Sequence, residues 1–144
     1  MTPYYKEKLE QGRLFQDVVT EALYKQGIVL VGFSSHEYQL SHGENIMGAE
    51  IKNDAKFRET GNLYIETAEK QPAATAFFPS GIMRKDNSWL FIIGDSKTIW
   101  IFGTTFLREI KDDPDFKKVT KETSQGFLLP LEIADGIAIR KFNL

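Results

Sequence analysis

The segment "SWLFIIGDSKTIWIF" (88–102) contains two apolar runs separated by a short polar stretch. Both runs are rich in aromatic and β-branched residues, which favour strands. The stretch between them, 94–97, begins with Gly and Asp and has the composition of a tight turn. The segment therefore predicts a β-hairpin, and the elements on either side decide what kind of sheet the hairpin joins.

A long amphipathic helix is predicted near the start of the chain, over residues 3–26. Pro3 suits a first helical turn, and Gly27 suits the position just beyond the last turn. Apolar side chains recur at helical spacing and predict one buried stripe. That stripe consists of Leu14, Phe15, Val18, Val19, Ala22 and Leu23.

Three further segments have the apolar runs expected of strands: 27–33, 46–52 and 61–67. Between the first two, residues 34–43 predict either a polar connection or a second, exposed strand. Two prolines restrict residues 68–80 to a loop or a short helix.

The C-terminal part of the chain predicts a mixture of helix and strand. Residues 104–113 open with Thr and predict a helix. The final stretch, 126–142, predicts a strand or turn followed by a short helix. The whole order predicts an α/β (α+β) fold with a mixed central sheet flanked by helices, in a single domain covering 1–144.

Composition excludes several classes of function. The chain contains no cysteine, so disulfides, thiolate metal sites and Cys nucleophiles are excluded. Its net charge is −2, so a nucleic-acid partner would have to be held by a local basic patch. No apolar stretch is long enough to cross a bilayer, and the start lacks the pattern of a signal peptide. We therefore expect a cytoplasmic, intracellular protein without a membrane partner.

Charged side chains on the predicted strand 46–52 are the main functional signal. Side chains alternate along a strand, so Glu50 and Lys52 share one face with Ile46 and Gly48. Glu50 and Lys52 then lie about 6.6 Å apart along the strand. An ordinary Glu–Lys pair on a solvated strand face explains the same spacing, and both interpretations stay open at this point.

Glu44 adds a second carboxylate just before this strand. A bend at residues 45–46 would bring Glu44 beside Glu50. Two carboxylates that share a site repel each other unless a cation lies between them, and oxygen ligands suit Mg²⁺ or Mn²⁺. A metal with a nearby lysine is suited to phosphodiester hydrolysis.

Other catalytic patterns are weak in this chain. His36 and His42 are six residues apart without a third ligand, which does not make a zinc site. The segment "FIIGDSK" lacks the glycines of a P-loop. Asn53 and Asp54 have the composition of a turn.

The order of helix with an acid, hairpin, acid, apolar strand with Glu-x-Lys and further strand resembles the PD-(D/E)xK nuclease superfamily, which has the restriction-endonuclease-like fold. The motif stands here as Glu44, five residues, then Glu50-Ile51-Lys52. The stretch "GAEIKND…TGNLYIETAEK" is also similar to small phage and bacterial members. The resemblance covers roughly residues 10–105.

The resemblance implies a role for each motif residue. Glu44 matches the first metal-binding acid, Glu50 the second, and Lys52 the catalytic lysine. Glu21 matches the helix acid that some members add. The chain departs from the pattern in having Glu at the first acid, where Asp is usual, and Gly43 where Pro is usual.

Further candidates surround this motif. Glu66 follows on the next strand and is an accessory ligand or a member of a structural pair. Lys56 and Arg58 lie just after the catalytic strand and are candidates for DNA binding. The other basic residues are interleaved with acids and predict a mixed solvated face.

The sequence therefore predicts a Mg²⁺- or Mn²⁺-dependent endodeoxyribonuclease, structure-specific or associated with phages or mobile elements. The alternatives are a catalytically idle DNA- or protein-binding module on the same fold, and an unrelated interaction module whose Glu-x-Lys is accidental. The aromatic hairpin also predicts a homodimer or higher closed oligomer, because one small domain cannot easily bury both of its faces.

Overall fold

The computed structural model describes residues 2–30, 32, 35–45 and 47–144, apart from the side chain of His36. Its helices are α1 (Pro3–Lys25), α2 (His36–His42), α3 (Phe57–Thr60), α4 (Thr104–Ile110) and α5 (Leu131–Ile137). Its strands are β1 (Ala49–Asn53), β2 (Asn62–Glu69), β3 (Phe78–Pro79), β4 (Leu90–Gly94), β5 (Thr98–Gly103), β6 (Lys118–Thr120), β7 (Ser124–Pro130) and β8 (Arg140–Asn143).

The first sheet has the strand order β1-β4-β5-β8 and is mixed. Strands β4 and β5 form the predicted hairpin, and Asp95 closes its turn by accepting the backbone N–H groups of Lys97 and Thr98 at 2.9 Å. β1 pairs with β4 in parallel, and β8 pairs with β5 in antiparallel fashion. β1 is therefore an edge strand, with one side of its backbone available to other groups.

The second sheet has the order β3-β2-β7-β6 and is antiparallel throughout. β2 and β7 form its centre, with a register shift between Glu66 and Ala68. The predicted α/β class with a mixed sheet and helices is thus confirmed, and the structure adds this second sheet.

Two hydrophobic clusters hold the layers together. One lies between the sheets and includes Leu63 and Phe127 from the second sheet and Phe91 and Trp100 from the first. The other joins the opposite face of the first sheet to α1, which presents Phe15, Val19 and Leu23. The first sheet therefore has an apolar layer on each face. A charged residue on its inner face, the one toward the second sheet, is taken out of solvent.

Helix α1 agrees with the prediction in extent, but its buried stripe is narrower. Phe15, Val19 and Leu23 are buried, whereas Leu14 is 56% exposed and Val18 is 37% exposed. Residues spaced by four make a single row along the helix, and this row alone meets the sheet. The prediction that Leu14 and Val18 are buried is therefore wrong.

The segment between α1 and β1 also differs from the prediction. Residues 34–43 were expected to form a connection or a strand, but 36–42 form helix α2, which Ser35 caps by accepting the Tyr38 N–H. No strand ladder forms over 27–30, and Gly32 makes an isolated bridge to Asn45. Val31, Phe33 and Ile46 lie outside the described residues.

The aromatic hairpin is largely covered within the chain. Phe91, Trp100 and Phe102 are at most 2% exposed, whereas Trp89 is 59% exposed. The second sheet buries one face of the hairpin, and α1 covers part of the other. The reasoning that led to a homodimer therefore loses its premise.

No helix within the described part of the chain combines the length and the apolar character needed to cross a membrane.

Replacing Leu23 by Ala should test the assignment of the buried stripe. The side chain is 1% exposed, so Leu23→Ala should lower the free energy of unfolding by about 2–5 kcal/mol. Leu14→Ala on the same helix is the matched control and should change it by about 0.5 kcal/mol or less. Denaturant unfolding measures both, and equal losses would contradict the packing of α1.

Candidate functional site

The Glu-x-Lys pair lies on the inner face of edge strand β1. Ala49 and Ile51 point to the cluster under α1, so Glu50 and Lys52 point the other way, toward the layer between the sheets. In the ladder, Glu50 lies opposite Phe91, which belongs to that inner layer. The alternation of the strand therefore places a carboxylate among apolar side chains.

Glu50 is deeply buried. It is 1% exposed, and its Oε1 lies 3.3 Å from Lys52 Nζ. Within the described residues, its Oε2 has no hydrogen-bond partner. Burial raises the pKa of Glu50, and the charge of Lys52 opposes this rise. A buried carboxylate with an unpaired oxygen is costly, so a solvated Glu–Lys pair does not describe this site.

Glu44 lies against the open edge of β1. Its Oε2 accepts the backbone N–H of Ile51 at 3.3 Å and the side-chain amide of Gln16 at 3.1 Å. Burial, and then the charge of Glu50, raise the pKa of Glu44 to about 7. The two carboxylates therefore influence each other, as the predicted bend before the strand would require.

The bend that carries Glu44 is fixed by Asn45, a residue that sequence reasoning missed. The Asn45 side chain donates to the Ala49 carbonyl at 2.6 Å and accepts the Ala49 N–H at 3.0 Å. The Asn87 amide in turn donates to the Asn45 carbonyl at 2.8 Å. Gly48 has a φ of +68°, and a Cβ there would lie 2.4 Å from the Trp89 ring, so the bend also needs glycine.

Lys52 is surrounded by three carboxylates. Burial lowers the pKa of Lys52, but the charges of Glu50, Glu66 and Glu44 outweigh burial and raise it above its ordinary value. Lys52 therefore carries a positive charge at neutral pH.

Glu66 takes part in this cluster from strand β2. Its Oε2 accepts a hydrogen bond from the buried Ser80 hydroxyl at 2.9 Å. Burial raises the pKa of Glu66, and the charge of Lys52 opposes the rise. Glu66 is thus an acid held close to Lys52, as expected for an accessory residue, and Ser80 is a contact that the sequence did not indicate.

A second cation, Arg84, lies on the other side of the acids. Its Nε is 2.8 Å from Asp86 Oδ2, and its terminal nitrogen donates to the Gln39 carbonyl. The positive charge of Arg84 lowers the pKa of both Glu44 and Glu50. The Asp86 side chain is 1% exposed, so the ion pair that holds Arg84 is largely shielded from solvent.

The acids suit a small hard cation. Glu44 and Glu50 offer carboxylate oxygens, the charge of Glu50 acts on Glu44, and the unpaired Glu50 Oε2 is an acceptor in need of a positive partner. Among the residues that the structure describes, no group of three or more His, Asp or Glu side chains is arranged to hold a metal ion. A cation would therefore rest on the pair Glu44 and Glu50.

Two of the predicted site residues lie elsewhere. Glu21 forms an exposed ion pair with Lys25 at 3.4 Å, and Gln16 is the α1 side chain that reaches the site. Arg58 makes two hydrogen bonds to Asp95, at 2.7 and 3.1 Å, which ties it to the hairpin turn. The expectation that Glu21 joins the acids is therefore wrong, and Arg58 lies at the hairpin turn, where its role in DNA binding stays a prediction.

Asp54 acts as a turn residue, as predicted. Its two carboxylate oxygens accept the backbone N–H groups of Lys56 and Tyr64, both at 2.9 Å. The Lys56 side chain is exposed and lines a cleft of about 530 Å³ that Lys52 and Glu66 also line. Of the two DNA-binding candidates, Lys56 is thus the one next to the acids.

Comparison of the chain with models of protein families, with curated proteins and with solved structures finds no match. The likeness to PD-(D/E)xK nucleases therefore rests on the sequence motif alone.

The raised pKa of Glu44 predicts how stability depends on pH without divalent cations. The folded state holds this proton up to about pH 7 and the unfolded state only up to about 4.5, so the contribution is full at low pH. The free energy of unfolding should then fall by roughly 2–4 kcal/mol between these values. Denaturant unfolding in EDTA at several pH values measures it.

Glu44→Gln should remove much of this fall, leaving the part due to Glu50 and Glu66. Glu21→Gln, on the exposed surface of α1, is the control and should keep the wild-type profile. Identical profiles for Glu44→Gln and wild type would contradict the burial of an ionisable Glu44.

Proposed function

We propose that this chain is a Mg²⁺- or Mn²⁺-dependent endodeoxyribonuclease. The observation that carries the proposal is the buried Glu50, which is paired through one oxygen with Lys52, has its other oxygen unpaired, and has Glu44 beside it. Clusters of perturbed ionisable groups are typical of functional sites, and two members of this cluster, Lys52 and Glu66, line a cleft. Acids with a lysine suit hydrolysis of a phosphodiester better than chemistry that needs a thiol or an activated serine.

Each residue has a role that its surroundings support. Glu44 and Glu50 would hold the cation, and a bound cation polarises a phosphate and lowers the pKa of its water. Lys52 is half-exposed, faces the cleft and stays charged, so it is placed to contact a phosphate oxygen as negative charge builds up. Glu66, held by the Ser80 hydroxyl, acts on Lys52 through its charge.

DNA is the proposed substrate, and one set of these residues serves one strand. Lys56 lines the same cleft as Lys52 and is placed to contact a neighbouring phosphate. A double-strand break would need two copies of the chain, but the hairpin no longer argues for a dimer. We therefore propose an intracellular enzyme that cuts one DNA strand at a time. Light scattering should then give a mass near 16.4 kDa, the mass of a monomer.

A catalytically idle DNA- or protein-binding module on the same fold is the second candidate. Glu44 Oε2 already accepts two hydrogen bonds, from Gln16 and from Ile51, which is also what a structural brace would do. In such a module the acids would fix the bend before β1, and no cleavage would accompany binding.

The exposed pair Glu21–Lys25 gives matched controls for the buried pair Glu50–Lys52. Glu50→Ala and Lys52→Ala should each lower the rate of Mg²⁺-dependent cleavage by at least about a hundredfold, because each removes one element of the charged site. Glu21→Ala and Lys25→Ala remove the same side chains from the surface of α1 and should cleave like wild type.

The assay uses linear, supercoiled and branched DNA with Mg²⁺, Mn²⁺ or EDTA, and circular dichroism checks that each variant is folded. Wild-type rates in folded Glu50→Ala or Lys52→Ala would end the assignment. Absence of cleavage by the wild type under every condition, with DNA binding retained, would favour the idle module.

A further inference from the structure

The cleft beside Lys52 has walls from distant parts of the chain. Helix α1 contributes Lys8, the loop before α3 contributes Lys56, and the turn between β6 and β7 contributes Lys121. Together with Lys52 they place four lysines around a cleft of about 530 Å³. The chain as a whole has a net charge of −2, so this concentration of positive charge is local.

The acids of the cleft do not cancel this charge. Two acids line it, Asp54 and Glu66. Asp54 is occupied with the backbone N–H groups of the turn that follows β1, and Glu66 with the Ser80 hydroxyl. Lys52 is already paired with Glu50, so the other three lysines against these two acids leave an excess of one positive charge, which suits the phosphates of a polyanion.

Two of these lysines come from separate elements beside the cleft. Phe15 is the first fully buried residue of α1, and Lys8, about two turns before it, lines the cleft. Lys121 lies over the Tyr64 ring, with Nζ 4.0 Å from the ring centroid. The overhanging helix and the aromatic ring thus fix positive charges on two sides of the cleft.

The size of the cleft restricts what can reach Lys52. Its volume is about 530 Å³. Clefts of about 300–1,000 Å³ enclose ligands of the size of a small molecule, such as one or two nucleotides. A nucleotide can enter such a cleft together with its base only when the base is not stacked inside a duplex.

We propose that this cleft binds a single strand of DNA, with Lys8, Lys56 and Lys121 contacting its phosphates on the way to Lys52. This inference rests on the proposed function for the identity of the ligand and adds its form: a single strand, a flap or a frayed end, and not the interior of a duplex. Positively charged grooves of this kind bind single strands through the backbone with little dependence on sequence.

The test measures binding in EDTA, so that it does not depend on cleavage. Fluorescence anisotropy compares a labelled 20-nucleotide single strand, the blunt duplex of the same sequence and a fork with single-stranded arms. The single strand and the fork should bind at least about tenfold more tightly than the blunt duplex, because only they fit the cleft.

A triple variant, Lys8→Ala with Lys56→Ala and Lys121→Ala, should weaken binding of the single strand by about tenfold or more. It should also flatten the dependence of log K on log salt concentration by about 0.7 for each lost contact. The control removes three exposed lysines that do not line the cleft, Lys25, Lys85 and Lys97, and has the same net charge. It should bind like wild type.

Equal affinity for the blunt duplex and the single strand would overturn the inference, and so would equal effects of the two triple variants. Failure of the proposed function looks different. If the wild type binds the single strand through these lysines but never cleaves it, the cleft is assigned correctly and the nuclease is not. If it cleaves but prefers the blunt duplex, the nuclease stands and this inference fails.

Discussion

Glu50 lies on the edge strand of the first sheet and is buried against the layer between the two sheets. Among the described residues, one of its carboxylate oxygens is paired with Lys52 and the other has no hydrogen-bond partner. A charge in this position is unfavourable unless its surroundings supply opposite charge. Two cations supply that charge here: Lys52 on the same strand, and Arg84, which Asp86 holds in place. The site is thus a local electrostatic arrangement built around one buried carboxylate.

The buried acids of this site are a cost to the stability of the fold. Burial raises the pKa of Glu44, Glu50 and Glu66, so the folded chain holds acids that would ionise more easily in water. A core with apolar side chains in their place would be expected to be at least as stable. A cluster of ionisable groups that is costly to hold is better explained by the binding of a charged ligand than by packing.

The sequence predicts those features whose signal is local. Periodicity reveals α1, the hairpin and the strand with Glu50 and Lys52, because alternation alone places these two side chains on one face. The division into two sheets depends on pairing between distant segments, which periodicity does not contain. For the same reason Gln16 was missed, since its partner Glu44 lies 28 residues away, and the pairing of Arg58 with Asp95, 37 residues away, was not foreseen. Asn45 bonds to Ala49, only four residues away, but that contact depends on the bend, which periodicity does not contain.

A crystal structure of the protein in Mn²⁺, with anomalous scattering data, is the sharpest test of the proposal that Glu44 and Glu50 form one cation site. We expect one strong anomalous peak at about 2.0–2.3 Å from a carboxylate oxygen of each of these residues, the range for small hard cations. The Glu44→Gln protein, crystallised in the same way, should show a weaker peak or none. A wild-type crystal with no peak between the two carboxylates at millimolar Mn²⁺, or with the peak elsewhere, would contradict the account.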